Sequence, residues 1–398
     1  MADLYPFFHE WLNLFVRWIH LIAGISWIGS SFYFMWLDAH IKAPEVPREG
    51  IEGELWMVHS GGFYQVEKRL IRPGEMPKIL HWFKWEATFT WLSGFVLLAI
   101  VYYTTGGMYL VDPAVANITP LAASGIGIGL LVTAWFVYDL LYQSPLGKLG
   151  KVASAISCVL VAGVAYGLCH LFSGRAAYIH VGAMFGTLMV LNVWVRILPA
   201  QQSMIDATKA GRKPDYSLGM AAKRRSVHNT YMTFPVLFIM LSNHYPMTYA
   251  HSLNWVVLLL LIGAGAGVRH YMVAKDRRAV WILVPVGAAL LALFVMTAPQ
   301  AAPIAGADGG PMVPFPAAYA VISNRCIACH SSHPTDDIFK IAPNGVMFDS
   351  PERVKALAPR IRERVVVLKT MPLANKTGIT QEERDLLGRW IDSGAKLQ

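Results

Sequence analysis

The amino-acid sequence predicts an all-α protein: an eight-helix transmembrane bundle followed by a small soluble C-terminal domain. Three observations predict it. Of the 398 residues, 55% are hydrophobic and 15% charged, against ~25% charged in ordinary soluble domains. Apolar runs of about twenty residues, the length that crosses a bilayer, recur along the chain. The pentapeptide CIACH (326–330) stands in a polar segment after the last of these runs.

Eight stretches qualify as spans: 12–37, 83–104, 120–142, 151–172, 176–198, 230–246, 252–272 and 279–298. The sixth contains Pro235, which a membrane helix tolerates when neighbours satisfy the freed carbonyl. Loop charge alternates. Lys and Arg crowd the loops after spans one, three, five and seven (Lys68, Arg69, Lys148, Arg212, Arg224, Lys275 among them). The N-terminal arm and the loops after spans two, four and six carry only Arg175. Basic loops stay in the cytoplasm, so both termini are expected in the periplasm of a bacterial inner membrane. The net charge of +9 is therefore a topology signal, and no nucleic-acid partner is expected. The first run is too long for the apolar core of a cleavable signal peptide and lacks a small-residue cleavage site. The expected domains are 1–298 in the membrane, a Pro/Ala/Gly-rich linker at 299–316, and an external domain at 317–398.

Cys326 and Cys329 are one helical turn apart, so both thiols reach the two vinyl groups on one edge of a porphyrin. His330 follows directly and presents a ring nitrogen to the iron. Bacteria attach haem covalently outside the cytoplasm, so motif and loop charge agree. Cys158 and Cys169 lie in apolar runs and read as small core residues. A zinc site would need further Cys or His at suitable spacing. Met371, in KTMPLANKTG, is the candidate sixth ligand. A Met–Pro in a polar loop before a final helix resembles the distal loop of class I cytochromes c, and a thioether ligand raises the haem potential. Met347 competes but lies close to His330. Pro343 is the candidate whose carbonyl accepts a hydrogen bond from His330. Residues 380–396 open with Thr380 and Glu383 in capping-box spacing and carry Trp390 as the expected contact with the domain's first helix. The external part thus reads as a class I-like cytochrome c domain holding one haem c.

Ionisable groups inside spans are costly and mark function. His20, His170, His180 and His244 fall near the outer ends of their spans. His59, His81, His228 and His270 fall near the inner side. His20 sits in RWIHLIAGISWIGSSF, whose Ala23, Gly24, Ser26, Gly29 and Ser30 form a small-residue face. Such a face serves close helix packing or admits a macrocycle. The stretch resembles the first helix of the membrane protoporphyrinogen oxidase and copper-resistance-like families, in which such a His binds b-type haem. His20 and His180 are the candidate pair for a haem b in the outer half of the bundle. Glu86, Asp139, Asn192 and Arg196 add polar groups to the inner half, Asp139 as the candidate for a structural ion pair.

RSVHNTYMTFPVLFIMLSNHYP (225–246), RWIHLIAGISWIGSSFYFMWLD at the start, HSGGFYQVEK (59–68), CIACH and KTMPLANKTGITQEERDLLGRWI together resemble the bacterial membrane-bound urate hydroxylase, the urate oxidase linked to cytochrome c. The likeness extends over essentially the whole chain. It implies that urate and water give 5-hydroxyisourate, and that electrons leave through haem to a respiratory partner, a soluble cytochrome c or a terminal oxidase, without hydrogen peroxide. Urate is an anion near neutral pH, and the basic inner face favours anions. A purine needs a flat slot and directed polar groups; Phe63, Tyr64, Asn229, Thr230 and Tyr231 are the candidates. His228, then His59, are the candidate bases, since imidazole titrates near neutrality. The hydrocarbon core is ~30 Å thick, so a substrate on the inner side requires a further redox group on the way out. Two alternatives stay open from the residues alone: a quinol- or porphyrin-oxidising membrane haem protein, and a tethered electron-transfer cytochrome c whose bundle is only an anchor.

Overall fold

The computed structural model describes residues 4–72, 75–274, 277–298 and 313–397. The chain is mostly helical. Its first part forms α1 (Leu4–His40), a hairpin of β1 (Ile51–His59) and β2 (Gly62–Arg69), and α2 (Trp85–Leu98), which a π-helical turn extends through Ala99–Tyr103. There follow α3 (Pro120–Gln143), α4 (Gly150–Cys169) and α5 (Gly174–Leu191). A second π-helical turn (Asn192–Ile197) carries α5 straight into α6 (Leu198–Lys209). Then come α7 (Tyr216–Ser242), α8 (Asn254–Val273) and α9 (Leu283–Thr297).

Local chemistry sets these boundaries. Thr119 caps α3, its hydroxyl accepting from Ala122 N–H, and Pro120 occupies the first turn, where its missing N–H is not needed. Ser173 and Asp215 cap α5 and α7 in the same way. Pro235 sits inside α7 without ending it.

Among the described residues, seven helices are long and apolar enough to cross a membrane. They correspond to seven of the eight expected spans. The sixth expected span, 230–246, overlaps α7, which begins earlier and ends earlier, at Tyr216 and Ser242, and is too polar to qualify by composition. Burial ranks the helices. Half of the most apolar window of the α5–α6 helix is buried, and none of the window of α1 is. α5 is therefore the central helix; α2, α3, α4 and α7 pack around it, and α1 lies outside against α2. The main core gathers Tyr178, Val181, Phe185 and Leu188 of α5 with Leu131, Trp135, Leu168, Phe172, Ile239 and Leu258.

The hairpin was not expected; the segment read as a basic loop carrying His59, Phe63 and Tyr64. His59 pairs with Gly62 and Val58 with Phe63 across a Ser60–Gly61 turn in which both residues have positive φ, the geometry that matches strand twist. Arg48 bridges Glu67 at 2.6 Å and also Glu54, tying the strands to the segment after α1.

Of the expected linker, 299–312 lie outside the described residues, and Phe315 already opens α10 (Phe315–Arg325). Two short helices, Pro351–Ala356 and Ala358–Ile361, precede a π-helical turn at Arg362–Val367. The last helix, α11 (Gln381–Asp392), starts with the Thr380–Glu383 capping box. Fully buried Trp390 packs on Phe315 of α10, ring centroids 5.7 Å apart, and a separate core forms around Ile322, Val354, Ile361 and Leu387.

Helix contact in the bundle is close enough to test. A Cβ on Gly182 of α5 would lie 2.6 Å from Ile239 Cγ2 of α7. Gly182→Ala should destabilise the bundle by about 1–3 kcal/mol, read as a lower thermal midpoint of the detergent-solubilised protein.

Candidate functional site

The polar stretch RSVHNTY of α7 faces two ways. Residues three or four apart share a helix face, so Arg225, His228 and Asn229 point one way and Thr230, Tyr231 and Phe234 the other. On the first face His228 Nδ1 meets the Tyr138 hydroxyl at 2.7 Å, and the Tyr142 ring lies 4.4 Å from the imidazole. Buried Asn192, the first residue of the π-helical turn after α5, donates to the Tyr138 oxygen (3.0 Å) and to Asn229 Oδ1 (2.8 Å). Asn229 in turn donates to the Met189 carbonyl at 2.9 Å. With its proton on Nδ1, His228 donates to Tyr138 and keeps a lone pair on Nε2, the form able to act as a base.

Beside this group lies an ion cluster. Asp139 accepts from Arg196 Nε at 2.9 Å, from Arg225 Nη2 at 2.7 Å and from Gln143 at 2.6 Å. The Arg225 guanidinium covers the Tyr138 ring at 4.8 Å and the Tyr142 ring at 5.4 Å. Two cations share one carboxylate, which leaves an excess positive charge. Two buried atoms here have no partner: Arg225 Nη1 and Asn192 Oδ1. One is a charged donor, the other a neutral acceptor. The arrangement suits a planar anion carrying carbonyl and N–H groups, with rings to lie against and an imidazole to take a proton.

The bundle also matches a known family: the model described as urate oxidase N-terminal covers residues 6–299. The chain belongs to the urate oxidase N-terminal family. No curated protein and no solved structure matches it. Membership makes this bundle that of an oxidoreductase acting on urate. Within this urate oxidase bundle the structure sorts the sequence candidates.

His228 and Asn229 stand in the group just described. Thr230 and Tyr231, expected beside them, turn away: Thr230 bonds Met35 Sδ at 3.5 Å and Ser226 O, and Tyr231 bonds His270 Nδ1 at 2.7 Å. On that second face Arg269 is 2% exposed, its guanidinium 4.1 Å from the Phe32 ring and its Nε without a partner. His59 and Phe63 lie on the exposed hairpin tip; His59 bonds Ser60, and Phe63 is 82% exposed. Among the described residues no hydrogen bond or ring contact joins them to His228. Half-exposed Tyr64 is on the same hairpin. Sequence reasoning passed over Tyr138 and Tyr142, four residues apart on α3, and Arg225, three residues before His228 on α7; their aromatic and cationic character at helical spacing was the available signal. At the basic end a cavity of about 440 Å³ opens between Arg69, His81, Trp82, Gln201 and Tyr216.

The two histidines expected to share one haem grip α2 at different levels. His20 Nδ1 meets Thr90 O at 2.9 Å, and its ring lies against Gly94, where a Cβ would come within 2.9 Å. Buried His180 meets Ala176 O with Nδ1 (2.8 Å) and the Tyr103 hydroxyl with Nε2 (2.9 Å). Gly94 and Tyr103 are separated by about 14 Å along the axis at 1.5 Å per residue. Among the described residues no hydrogen bond or ring contact joins His20 to His180 directly. Each carbonyl fixes the proton on Nδ1; His20 keeps Nε2 for a ligand, whereas Tyr103 holds that of His180. Among the described residues no three His, Cys, Asp or Glu side chains converge as a metal site. Porphyrin iron asks less of the protein, one or two axial ligands.

In the C-terminal unit, Cys326 and Cys329 are free thiols. His330 Nδ1 donates to Val346 O at 3.0 Å; the partner is Val346 and not Pro343. That bond leaves Nε2 as the ligating nitrogen. Burial, more than Arg360, pulls the His330 ring below its ordinary pKa, against the Val346 bond. Met371 packs on the same core as Cys326 and Ile327, and its carbonyl accepts from Arg384 at 2.8 Å. Met347 instead approaches Arg353. These residues fit a covalently held haem with His330 and Met371 as axial groups. Asp336 lies against the motif. Burial alone would raise its carboxyl, but Lys376 and the N–H groups of Phe339 and Ile338 hold it at about 2.

Two outcomes follow. Asp139→Asn should strand buried Arg225 and cost about 3 kcal/mol or more, seen as lost thermal stability and membrane yield. Asp336 has a folded pKa below its unfolded value, so its contribution is full above about pH 4 and disappears as pH falls toward 2. Lys376→Met should remove much of that ~2 kcal/mol at neutral pH, measured by unfolding the holoprotein between pH 2 and 7.

Proposed function

We propose that this chain is a membrane-bound urate hydroxylase that passes its electrons through haem c. The reaction is urate plus water giving 5-hydroxyisourate, two electrons and two protons. A C5–O bond forms, water loses one proton and urate another. The electrons go to a respiratory acceptor, a soluble cytochrome c or a terminal oxidase, so no hydrogen peroxide is made.

One observation carries the reading: the unpartnered Arg225 Nη1 and Asn192 Oδ1 beside His228. A buried polar atom left unbonded costs about 1–3 kcal/mol, more when charged. Urate satisfies both at once, its anionic oxygen on Arg225 and a ring N–H on Asn192. The Tyr142 ring supports the purine plane, and Tyr138 holds the His228 imidazole for proton removal. Asp139 keeps Arg225 aimed. Excess positive charge stabilises the urate anion against the apolar surroundings. The loop charges support a basic end in the cytoplasm and both termini in the periplasm. Haem c, held by Cys326, Cys329, His330 and Met371, supplies a one-electron acceptor, and a haem b on His20 or His180 would shorten the passage between.

Urate added anaerobically to membranes should reduce the haem c band, and quinol should not. A pyridine haemochrome assay separates b from c. His228→Ala should lower urate-driven reduction by about 10²–10⁴-fold while the haem content stays intact. Full activity in that variant would remove His228 from the mechanism.

A further inference from the structure

The CIACH segment and the bundle meet through one short turn. Ile338 and Phe339 both donate their N–H to Asp336 Oδ1 at 2.9 Å, and Lys376 Nζ bonds Asp336 Oδ2 at 2.7 Å. Lys340 Nζ closes the turn on Asp336 O at 2.6 Å. The turn is pinned to the motif, since Thr335 N–H and Asp336 N–H both donate to Ala328 O, at 2.9 and 3.0 Å. A cation, an acceptor carboxylate and a motif carbonyl thus hold two apolar side chains outward in an otherwise polar stretch.

Those side chains rest on the loop between α2 and α3. Phe339 sets its ring edge-on to Tyr109, centroids 6.1 Å apart. Ile338 Cδ1 lies 3.8 Å from where a Cβ on Gly106 would be. Tyr109 is itself fixed: Arg175 covers its ring at 4.5 Å, and its carbonyl accepts from Ser173 Oγ at 2.6 Å. The rings continue inward, Tyr109 to Tyr102 at 6.4 Å and Tyr102 to His180 at 6.0 Å. Packing alone needs no such ordered turn around an apolar pair. A contact meant to couple two units does.

We propose that the Asp336–Lys340 turn is the docking element of the C-terminal unit, and that Tyr102, Tyr109 and Phe339 form the path by which electrons leave the bundle for CIACH. The proposal rests on the haem-linked reading above. Each urate yields two electrons; a haem c held by Cys326, Cys329, His330 and Met371 would take them one at a time, passing the first to the respiratory acceptor before receiving the second. The rings are bridges, neither oxidised nor reduced overall, and the two protons stay behind at the urate end. Phe339 and Tyr109 act by position and touch no substrate.

The test uses full-length holoprotein in membranes. A photo-crosslinking benzoyl-phenylalanine placed at Phe339 should attach to residues 102–111; attachment elsewhere, or none, overturns the docking. Phe339→Ala should slow anaerobic urate-driven haem c reduction by about tenfold or more. Reduction by ascorbate from solution should not change, and Phe339→Trp should keep the parental rate. An unchanged urate-driven rate in Phe339→Ala overturns the path. If urate fails to reduce haem c in the parent protein, the haem-linked reading falls and the electron path with it, while the crosslink still decides the docking.

Discussion

One carboxylate answers two guanidinium groups inside the bundle, and the functional half of the molecule is arranged around it. An isolated buried ion costs several kcal/mol, so Arg225 of α7 can remain at 6% exposure only where Asp139 of α3 meets it. That requirement fixes the rotation of α7 against α3. One turn further on, the same rotation sets His228 under Tyr138 and Tyr142, and the next residue, Asn229, against Asn192. Arg196 on the same carboxylate tips the balance to net positive. A site for an organic anion follows from how the charges are counted, before any shape is considered.

The same pairing explains why α7 is too polar to be recognised as a span. Average hydropathy scores composition and ignores partners. Five polar residues in the middle of α7 reach across to other helices: Arg225 to α3, His228 to α3, Asn229 to α5, Thr230 to α1, Tyr231 to α8. Satisfied in this way, polar groups are far less costly in an apolar setting. The π-helical turns serve the same end. An extra residue in a turn shifts the helix face, and the two in the bundle deliver Tyr103 to His180 and Asn192 with Arg196 to the α7 group.

Much of this was legible in the sequence, and the remainder was hidden for physical reasons. Apolar runs gave the long helices because length and composition alone decide them. His228 and Asn229 stood out as polar residues in an apolar setting, and the Thr380–Glu383 box marked the final helix because capping is local chemistry. Tyr138 and Tyr142 were hidden, since a tyrosine in a membrane helix reads as an interface anchor until its neighbour across the bundle is known. Thr230 and Tyr231 were assigned to the wrong face because adjacency in sequence was taken for adjacency in space; a helix turns about 100° per residue. The hairpin was written in IEGELWMVH, a Ser-Gly turn and GFYQVEKR, but that loop was read for its charge and its candidate site residues and not for strand alternation. Layer by layer counting put His20 and His180 at similar depth, but it gives depth only roughly and says nothing of the Thr90 and Tyr103 contacts that each makes.

Central burial of α5 sets the distance over which charge must travel. Asn192 follows its last turn at the urate end, and His180 stands twelve residues earlier beside Tyr102 and Tyr103, about 18 Å away along the axis. Both positions belong to one continuous helix, packed by α2, α3, α4 and α7, so the separation is rigid. On the proposed reading, protons would be handled where His228 and the arginines lie, and electrons would depart where rings meet the C-terminal turn. Separating the two keeps the anionic substrate in a positive, polar pocket and leaves the exit lined by neutral aromatic groups. A substrate bound at the exit would gain a shorter electron path but lose the charge of Arg225 and the base. On that reading the polar groups of the bundle would serve recognition and leave the remaining distance to a redox group between the two ends, where His20 presents a free ring nitrogen against Gly94.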